Sequence, residues 1–438
     1  MRGTETNDAG ILAQQWLDMT DEERVAGLRS LGREEADELF LRLSTFHQLE
    51  LLLHMPTVER RTWLRLLAPD DAADLIQAAE GREPRENLLD LLDEAGRREV
   101  NALMAYKQDR AGGLMNPRFA RVRPEMTADE AIAYLRLQAG GVETIYYVYV
   151  LDQEQRLLGV LSFRDLFNCP KEQAIQTVMR GGYLSVSDEA DQEAVAALFA
   201  DSNLLAIPVL DEAGRMKGII TVDDIVDVVA EEASEDIHKF GGTQTLDLPY
   251  MEAGLWSMIR KRAGWLAILF VGEMLTATAM ARYEDYIARA VVLAVFVPLI
   301  ISSGGNAGSQ AATLVIRAMA LGELRLRDWW RVLWREIPSG LALGSVLALL
   351  GVTRILVWQA VSGTYGQHAV EIAATIGFSL IGVVLWGSLV GSLLPFLLRG
   401  VGLDPASASA PFVATMVDVC GLIIYFGVAG IVLRGTLL

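Results

Sequence analysis

The chain has 438 residues, a formal net charge of -18 at pH 7 and 52% hydrophobic residues. This length fits several domains, and the acidic balance argues against a protein that binds nucleic acid through a basic surface. The two cysteines, Cys169 and Cys420, lie far apart in the sequence, which excludes a disulfide framework and fits a reducing compartment.

The charge is divided unevenly along the sequence. The first 259 residues hold 25 basic and 47 acidic residues, a balance of -22, whereas residues 260–438 hold 13 basic and 9 acidic residues, a balance of +4. An acidic soluble part is therefore expected to precede an apolar membrane part. The first ten residues are polar and predict no cleaved secretory signal.

The N-terminal part predicts a domain of short amphipathic helices, from about Ile11 to Arg110. Leu, Ala, Glu and Arg recur there with a helical period, and runs of β-branched residues are scarce. The domain contains the acidic turn Pro69-Asp70-Asp71-Ala72-Ala73-Asp74, a pattern that most often marks a solvated helix start. We assign residues 1–112 to this helical acidic domain.

Two copies of one pattern follow the helical domain. The matching positions share an offset of 59 and are Asp152 with Asp211, Gly159 with Gly218, and Asp165 with Asp224. Each copy predicts a strand, a turn, a second strand and a helix that begins at a Ser/Thr-x-x-Asp cap. The repeat resembles a tandem pair of CBS domains, which often sense adenine nucleotides or ions. We place the two domains at residues 113–170 and 171–236.

The densest acidic stretch of the chain ends the second copy. It holds seven carboxylates and no Lys or Arg, and helical spacing brings two sets together: Asp224 with Asp227 and Glu231, and Glu232 with Glu235 and Asp236. Like charges at this spacing repel each other. A solvated acidic surface is one explanation, but the position directly before the membrane part favours a cation sensor. We predict a connecting helix within residues 237–259, from about His238 to Ser257.

Residues 260–438 predict a transmembrane domain, because they contain five apolar runs long enough to cross a bilayer. The runs are Ala263–Ala281, Ile287–Ala318, Ile337–Val361, Val370–Leu398 and Pro411–Leu433. Arginine and lysine cluster before the first run and after the second, and Arg399 follows the fourth, whereas the loop Ser362–Ala369 has neither. This pattern predicts a cytosolic N-terminus and an outer C-terminus.

The predicted fold class is therefore a multi-domain membrane protein. It combines an α-helical N-terminal domain, an α/β pair of CBS domains and an all-α transmembrane domain of five helices.

Polar residues inside the spans need a physical reason. The run Ser302–Gln310 holds three glycines, which should weaken the second span and free carbonyls to line a pore. A close helix contact through small residues is the alternative, and the two can hold together. Asp418 lies about 10 Å into the fifth span, which has no Lys or Arg before Arg434, so we expect a cation as its partner. Glu273 in the first span is a weaker candidate, which either meets a cation or bonds a neighbouring Ser or Thr.

These motifs resemble the MgtE family of bacterial magnesium channels over nearly the whole chain. The strongest matches are Gly304–Leu314, the turn Asp404-Pro405-Ala406, and the segment from Pro411 through Asp418 to Gly421. The resemblance implies a non-enzymatic Mg²⁺ channel or transporter of the cell inner membrane, which takes up magnesium and is gated by cytosolic Mg²⁺. It also implies a homodimer with the ion path at the dimer interface.

The resemblance implies roles for particular residues. Asp418 would hold a hydrated Mg²⁺ with help from the Ala414 carbonyl, and Asp404 would bind a cation near the cytosolic mouth. The pore and gate motif would include Gly304, Gly305 and Asn306. Regulatory Mg²⁺ would bind carboxylates of the acidic helix, the CBS region and the helical domain: Glu193, Asp224, Asp227, Glu232, Glu235, Asp236, Glu38, Asp70 and Asp74.

Two departures from the family pattern affect the CBS region. Arg164 and Asp165 match positions that contact ATP in the family, but Leu204 stands where an aromatic ring can stack on adenine, which puts ATP binding in doubt. Asn203 stands where an acidic ligand is expected, which weakens one regulatory site.

Other functional classes fit the sequence less well. An intramembrane metalloprotease needs His-Glu-x-x-His, but the four histidines are scattered and lie outside the spans. A CBS-regulated chloride channel needs cationic or hydroxyl-rich sites near the midplane, and Asp418 argues against them. A broader transporter of Co²⁺, Mn²⁺ or Ni²⁺ is the alternative within the transporter class, although the expected pore site has no Cys or His to favour softer metals.

Overall fold

The computed structural model describes residues 10, 12, 15–79, 81–246, 248 and 250–437. Most of the polar N-terminal segment therefore lies outside the described residues. The chain divides into two compact units, residues 1–230 and residues 231–438. Each unit has a hydrophobic core of its own.

Short helices build the first part of the N-terminal unit. They are α1 (Asp21–Ser30), α2 (Arg33–Arg42), α3 (Thr45–His54), α4 (Thr57–Leu64), α5 (Pro69–Ala78), α6 (Arg82–Leu89) and α7 (Glu94–Leu103). Side chains of Thr20, Ser44 and Asp93 cap the starts of α1, α3 and α7. Phe40 and Leu52 are fully buried in the shared core. The predicted helical domain is confirmed.

Two matching three-stranded sheets follow a short helix, α8 (Ala111–Leu114). The first copy comprises β1 (Arg121–Val122), α9 (Ala128–Gln138), β2 (Tyr147–Leu151), β3 (Leu157–Ser162) and α10 (Phe163–Asn168). The second comprises β4 (Val186–Ser187), α11 (Gln192–Ser202), β5 (Ala206–Leu210), β6 (Met216–Thr221) and α12 (Val222–Phe240). In each sheet the short first strand is parallel to the central strand, and the third strand is antiparallel to it.

The strand registers repeat as the sequence does. Tyr147 pairs with Ser162 in the first sheet, and Ala206 pairs with Thr221 in the second, which is the offset of 59. Ser162 accepts a hydrogen bond from the next turn of its helix, and Thr221 donates to the carboxylate of Asp224 at 2.6 Å. The predicted strand pairs and helix caps are therefore confirmed.

Helix α12 differs from the prediction. It runs through the whole acidic stretch and ends at Phe240, and the next helix starts only at Leu255. The connecting helix predicted from His238 to Ser257 is therefore wrong. The reason is Gly242, whose φ of +71° is a left-handed conformation that glycine adopts easily and that commonly follows a helix end.

Five helices of the C-terminal unit are long and apolar enough to cross a membrane. These first to fifth spans are α13 (Leu255–Arg282), α15 (Val291–Ala320), α16 (Trp329–Ser362), α17 (Ala369–Gly400) and α18 (Ala410–Val432), and α14 (Glu284–Arg289) joins the first two. The five predicted spans are confirmed. The first and third begin about two turns earlier than predicted, because the charged residues at their starts do not interrupt the helical backbone.

The second and fourth spans touch backbone to backbone. Gly304 and Gly308 lie against Gly387 and Gly391, and a Cβ on Gly391 would collide with the carbonyl oxygen of Gly308. Small residues allow this close approach in lipid. The second span is helical throughout its glycine run, so the predicted weakening of the helix is wrong and the alternative, a close helix contact, is confirmed.

We expect Gly391→Ala to destabilise the protein by about 1–3 kcal/mol, since the added methyl group has no room beside the facing backbone. The unfolding temperature of the purified protein in detergent would measure the loss. Gly264→Ala is the matched control, because open space surrounds that span glycine. Equal unfolding temperatures for the two variants would contradict the packing argument.

Candidate functional site

The fifth span presents its single acidic residue one turn after Ala414. The side chain of Ser409 caps the start of this helix. Val413 and Val417 are fully buried in the core, whereas Ala414 and Asp418 lie on another helix face and are half-buried. The helix therefore places the two residues of the predicted pore site side by side.

The first span brings a second carboxyl group to Asp418. Gly272 packs so closely on the fifth span that a Cβ there would lie 2.5 Å from Cγ2 of Thr415. The next residue, Glu273, brings its carboxyl group close enough to that of Asp418 for the two groups to interact electrostatically. Two carboxyl groups in contact repel each other unless a proton or a cation lies between them.

The second span has a polar face opposite its glycine contact. Ser302, Asn306 and Gln310 recur every four residues and are exposed. Gly305 packs on the fifth span, where a Cβ would lie 3.3 Å from the Cβ of Ala414. Of the predicted gate motif, Gly305 thus contacts the predicted pore residue and Asn306 lies on the open polar face.

Asp404 lies in the turn between the fourth and fifth spans. Its Oδ1 accepts a hydrogen bond from the amide of Ala406 at 2.8 Å, which holds the turn, and its Oδ2 meets Nζ of Lys239 at 2.6 Å. Lys239 belongs to the last turn of α12 and also forms an ion pair with Glu235. One lysine therefore joins Asp404 to the acidic C-terminal half of α12.

Negative charge outweighs positive charge around this lysine. Burial and the nearby Asp404 raise the pKa of Asp236. Burial acts to lower the pKa of Lys239, but the hydrogen bonds from its ammonium to Asp404 and Glu235 outweigh that effect and raise the pKa above its usual range. Both directions indicate a local potential that attracts cations. Carboxylate oxygens are the ligands that Mg²⁺ prefers, and it keeps several of its waters.

A second acidic group lies at the start of α5. Asp70 is only 7% exposed, and its carboxylate accepts a hydrogen bond from Nδ2 of Asn116 at 3.1 Å. The same Nδ2 donates to Glu143 at 2.8 Å. Burial and the nearby Asp224 raise the pKa of Asp70 to about 8, and burial raises the pKa of Asp224 to about 6. A divalent cation would relieve the repulsion that these carboxyl groups share.

The remaining predicted ligands of the N-terminal unit are more open. Glu38, Glu193 and Asp227 are exposed, and Asp74 is half-buried one turn after Asp70. Within the described ranges, no three His, Cys, Asp or Glu side chains come together as a complete metal cage.

The predicted nucleotide residues lie at the start of α10. Arg164 is exposed, whereas the carboxylate of Asp165 is paired with Nη2 of Arg180 at 2.9 Å. Asn203 has a local reason for its identity, because it ends α11 with a left-handed φ of 54° that Asn tolerates well. Leu204 packs against the core of the unit.

Sequence reasoning missed three residues of these groups. Asn116 and Glu143 lie outside the repeated pattern, so no motif marks them. Lys239 had a signal, because it is the first basic residue after the acidic stretch.

Comparisons with known proteins cover nearly the whole chain. Family models match it as MgtE intracellular N domain at residues 8–109, CBS domain at 111–172 and 175–231, and the divalent cation transporter MgtE at 297–428. The magnesium transporter MgtE of Thermus thermophilus is 42% identical over 421 residues, which is 96% of this chain and 92% of that relative. The chain belongs to the MgtE family.

A further relative agrees with this assignment. The magnesium transporter MgtE of Enterococcus faecalis is 34% identical over 93% of this chain and 96% of its own length. The family models and these two relatives confirm the resemblance and the architecture predicted from the sequence. Among solved structures, the crystal structure of the cytosolic domain of the Mg²⁺ channel MgtE in complex with ATP is 41% identical, covers 50% of this chain and 90% of that one, and has a TM-score of 0.48.

The raised pKa of Asp70 predicts a pH-dependent stability without Mg²⁺. A carboxyl whose pKa is raised by folding favours the folded state less as pH rises, because ionisation costs more when folded than when unfolded. Between pH 6 and pH 8, a shift of the pKa from 3.8 to about 8 lowers the free energy of unfolding by about 2 kcal/mol.

Thermal unfolding of the full-length protein in a chelator measures this dependence. We expect stability to fall from pH 6 to pH 8, Mg²⁺ to restore it at pH 8, and Asp70→Asn to flatten the profile. Asp201→Asn, which changes an exposed carboxylate of α11, should leave the profile as in the wild type. A steep profile that survives Asp70→Asn would contradict the assignment.

Proposed function

We propose that this protein is a magnesium transporter that carries hydrated Mg²⁺ past Asp418, along a path at the interface of a homodimer. The proposal rests chiefly on the Asp418 carboxyl, which is half-buried in an apolar span and lies close to the carboxyl of Glu273. The family relatives named as magnesium transporters support the choice of ion. A broader divalent specificity is the alternative.

The proposed pore site contains few protein ligands. Each subunit offers the Asp418 carboxylate and the Ala414 carbonyl, and Mg²⁺ keeps most of its water shell. Such a site binds an ion strongly enough to select it and weakly enough to release it. A second subunit facing the exposed stripe of Ser302, Asn306 and Gln310 would double the carboxylate and enclose the path.

The orientation follows from the loop charges. Arginine and lysine cluster before the first span and after the second, and Arg399 follows at the end of the fourth. The positive-inside rule then places the N-terminal domains in the cytosol and the C-terminus outside the inner membrane. The pairing of the Asp165 carboxylate with Arg180, and the lack of an aromatic ring at Leu204, argue against nucleotide binding.

Regulation follows from two carboxylate sets carried by α12. Asp224 repels Asp70 in one set, and Asp236 repels Asp404 in the other. At low cytosolic Mg²⁺ this repulsion weakens the contact between α12 and the Asp404 turn, and at high Mg²⁺ the ion bridges the carboxylates and strengthens that contact. Flux then stops, provided that Mg²⁺ binds the closed arrangement more tightly than the open one.

We expect Asp418→Ala to abolish growth rescue of a Mg²⁺-auxotrophic strain at low Mg²⁺, because the path loses its ionised ligand. Glu323→Gln changes an exposed loop carboxylate and should rescue like the wild type. Immunoblots of the membrane fraction would confirm equal amounts of protein. Full rescue by Asp418→Ala would exclude the pore role, and competition by Co²⁺, Mn²⁺ or Ni²⁺ in flux assays would favour the broader specificity.

We expect the combined change Glu232→Gln, Glu235→Gln and Asp236→Asn to weaken inhibition by cytosolic Mg²⁺, because the bridging carboxylates lose their charge. Inside-out patches with stepped bath Mg²⁺ would measure open probability. Open probability that falls over the same Mg²⁺ range as in the wild type would exclude these residues from gating.

A further inference from the structure

Lys239 stands where a regulatory cation would bind. Its ammonium lies 2.6 Å from Oδ2 of Asp404 and is also paired with Glu235. Asp236 lies close enough to Asp404 for the two carboxylates to repel each other. All four residues belong to the C-terminal unit. A side chain of this chain therefore already supplies the positive charge that these carboxylates need.

We infer that the Lys239 ammonium is a built-in competitor of Mg²⁺ at the Asp404 site, so that Mg²⁺ must displace it to bind. Lys239 thereby sets the Mg²⁺ concentration at which transport stops. This inference rests on the proposed function, because it assumes that Mg²⁺ at these carboxylates inhibits flux.

Either the Lys239 ammonium or Mg²⁺ can bind Asp404, but the two cannot bind it at the same time. Lys239 contacts Asp404 directly, so a cation entering between Asp404 and α12 would meet the ammonium at contact distance and be repelled. The lysine side chain is flexible, 30% of it is exposed, and its carboxylate partner Glu235 lies one turn earlier on the same helix. It can therefore swing away from Asp404 and remain solvated.

If Lys239 had a structural role instead, its removal would shift the half-inhibiting Mg²⁺ concentration in the opposite direction. If the Lys239–Asp404 pair were a clasp that holds α12 against the turn in the inhibited state, removing the lysine would make inhibition harder. Competition predicts that removing it makes inhibition easier. The sign of the shift in half-inhibiting Mg²⁺ therefore separates the two roles.

The first experiment measures Mg²⁺ inhibition of open probability in inside-out patches. We expect Lys239→Gln to lower the half-inhibiting Mg²⁺ about fivefold, the scale of one partly exposed ion pair. Lys239→Arg keeps the charge and should stay near the wild type. Lys217→Gln is the matched control, since Lys217 pairs with Asp211 at 3.4 Å in the CBS region. An unchanged or raised half-inhibiting concentration in Lys239→Gln would overturn the inference.

A second experiment needs no variant and applies even if Lys239→Gln fails to fold. An acylating amine reagent, with mass spectrometry of the full-length protein, would measure the reactivity of Lys239 with and without Mg²⁺. Displacement predicts that Mg²⁺ increases acylation of Lys239 but not of Lys217. Unchanged or reduced acylation of Lys239 would overturn the inference. Wild-type flux that Mg²⁺ does not inhibit would instead refute the gating part of the proposed function.

Discussion

Asp418 in the fifth span and Glu273 in the first bring two carboxyl groups close together inside apolar helices, and the fifth span contains no basic residue. Transfer of such groups from water is costly unless charge is compensated. Close helix packing in the membrane half makes this arrangement possible. Gly272 lets the first span approach the fifth, and Gly305 lets the second span approach Ala414. The glycines thus let the first and second spans pack closely on the part of the fifth span that carries Ala414 and Thr415.

The same physical problem recurs on α12, where carboxylates exceed their counter-charges. Asn116 offers Asp70 and Glu143 only a neutral amide, and Lys239 offers one positive charge to several acids. These carboxylates repel one another, and a bound divalent cation would remove that repulsion. Because α12 is a single helix from Val222 to Phe240, an ion bound near either end acts on the same rigid element.

Patterns with a fixed period were predictable from the sequence, and contacts between distant segments were not. The offset between Asp165 and Asp224 fixed the two CBS copies and even their strand registers. The five spans followed from apolar length, but their starts did not, because a helix continues past charged residues into the interface. The glycines of Ser302–Gln310 were expected to weaken the helix, but they do not interrupt it. Helix propensity measured in water says little about a segment that packs on glycines of another helix. Asp418 was identifiable because an ionised side chain inside an apolar span is energetically costly. The proximity of Glu273 to it was not predictable, because it depends on how the first and fifth spans pack.

The glycine contact between the second and fourth spans has a mechanical consequence. Side chains at an ordinary helix interface can change rotamer and let the helices slide, but the backbones at Gly308 and Gly391 touch directly. Sliding along this seam would drive carbonyl oxygens into the facing backbone, so these two helices form a stiff frame. We expect any widening of the ion path to come from movement of the first and fifth spans, while the second and fourth spans stay fixed relative to each other.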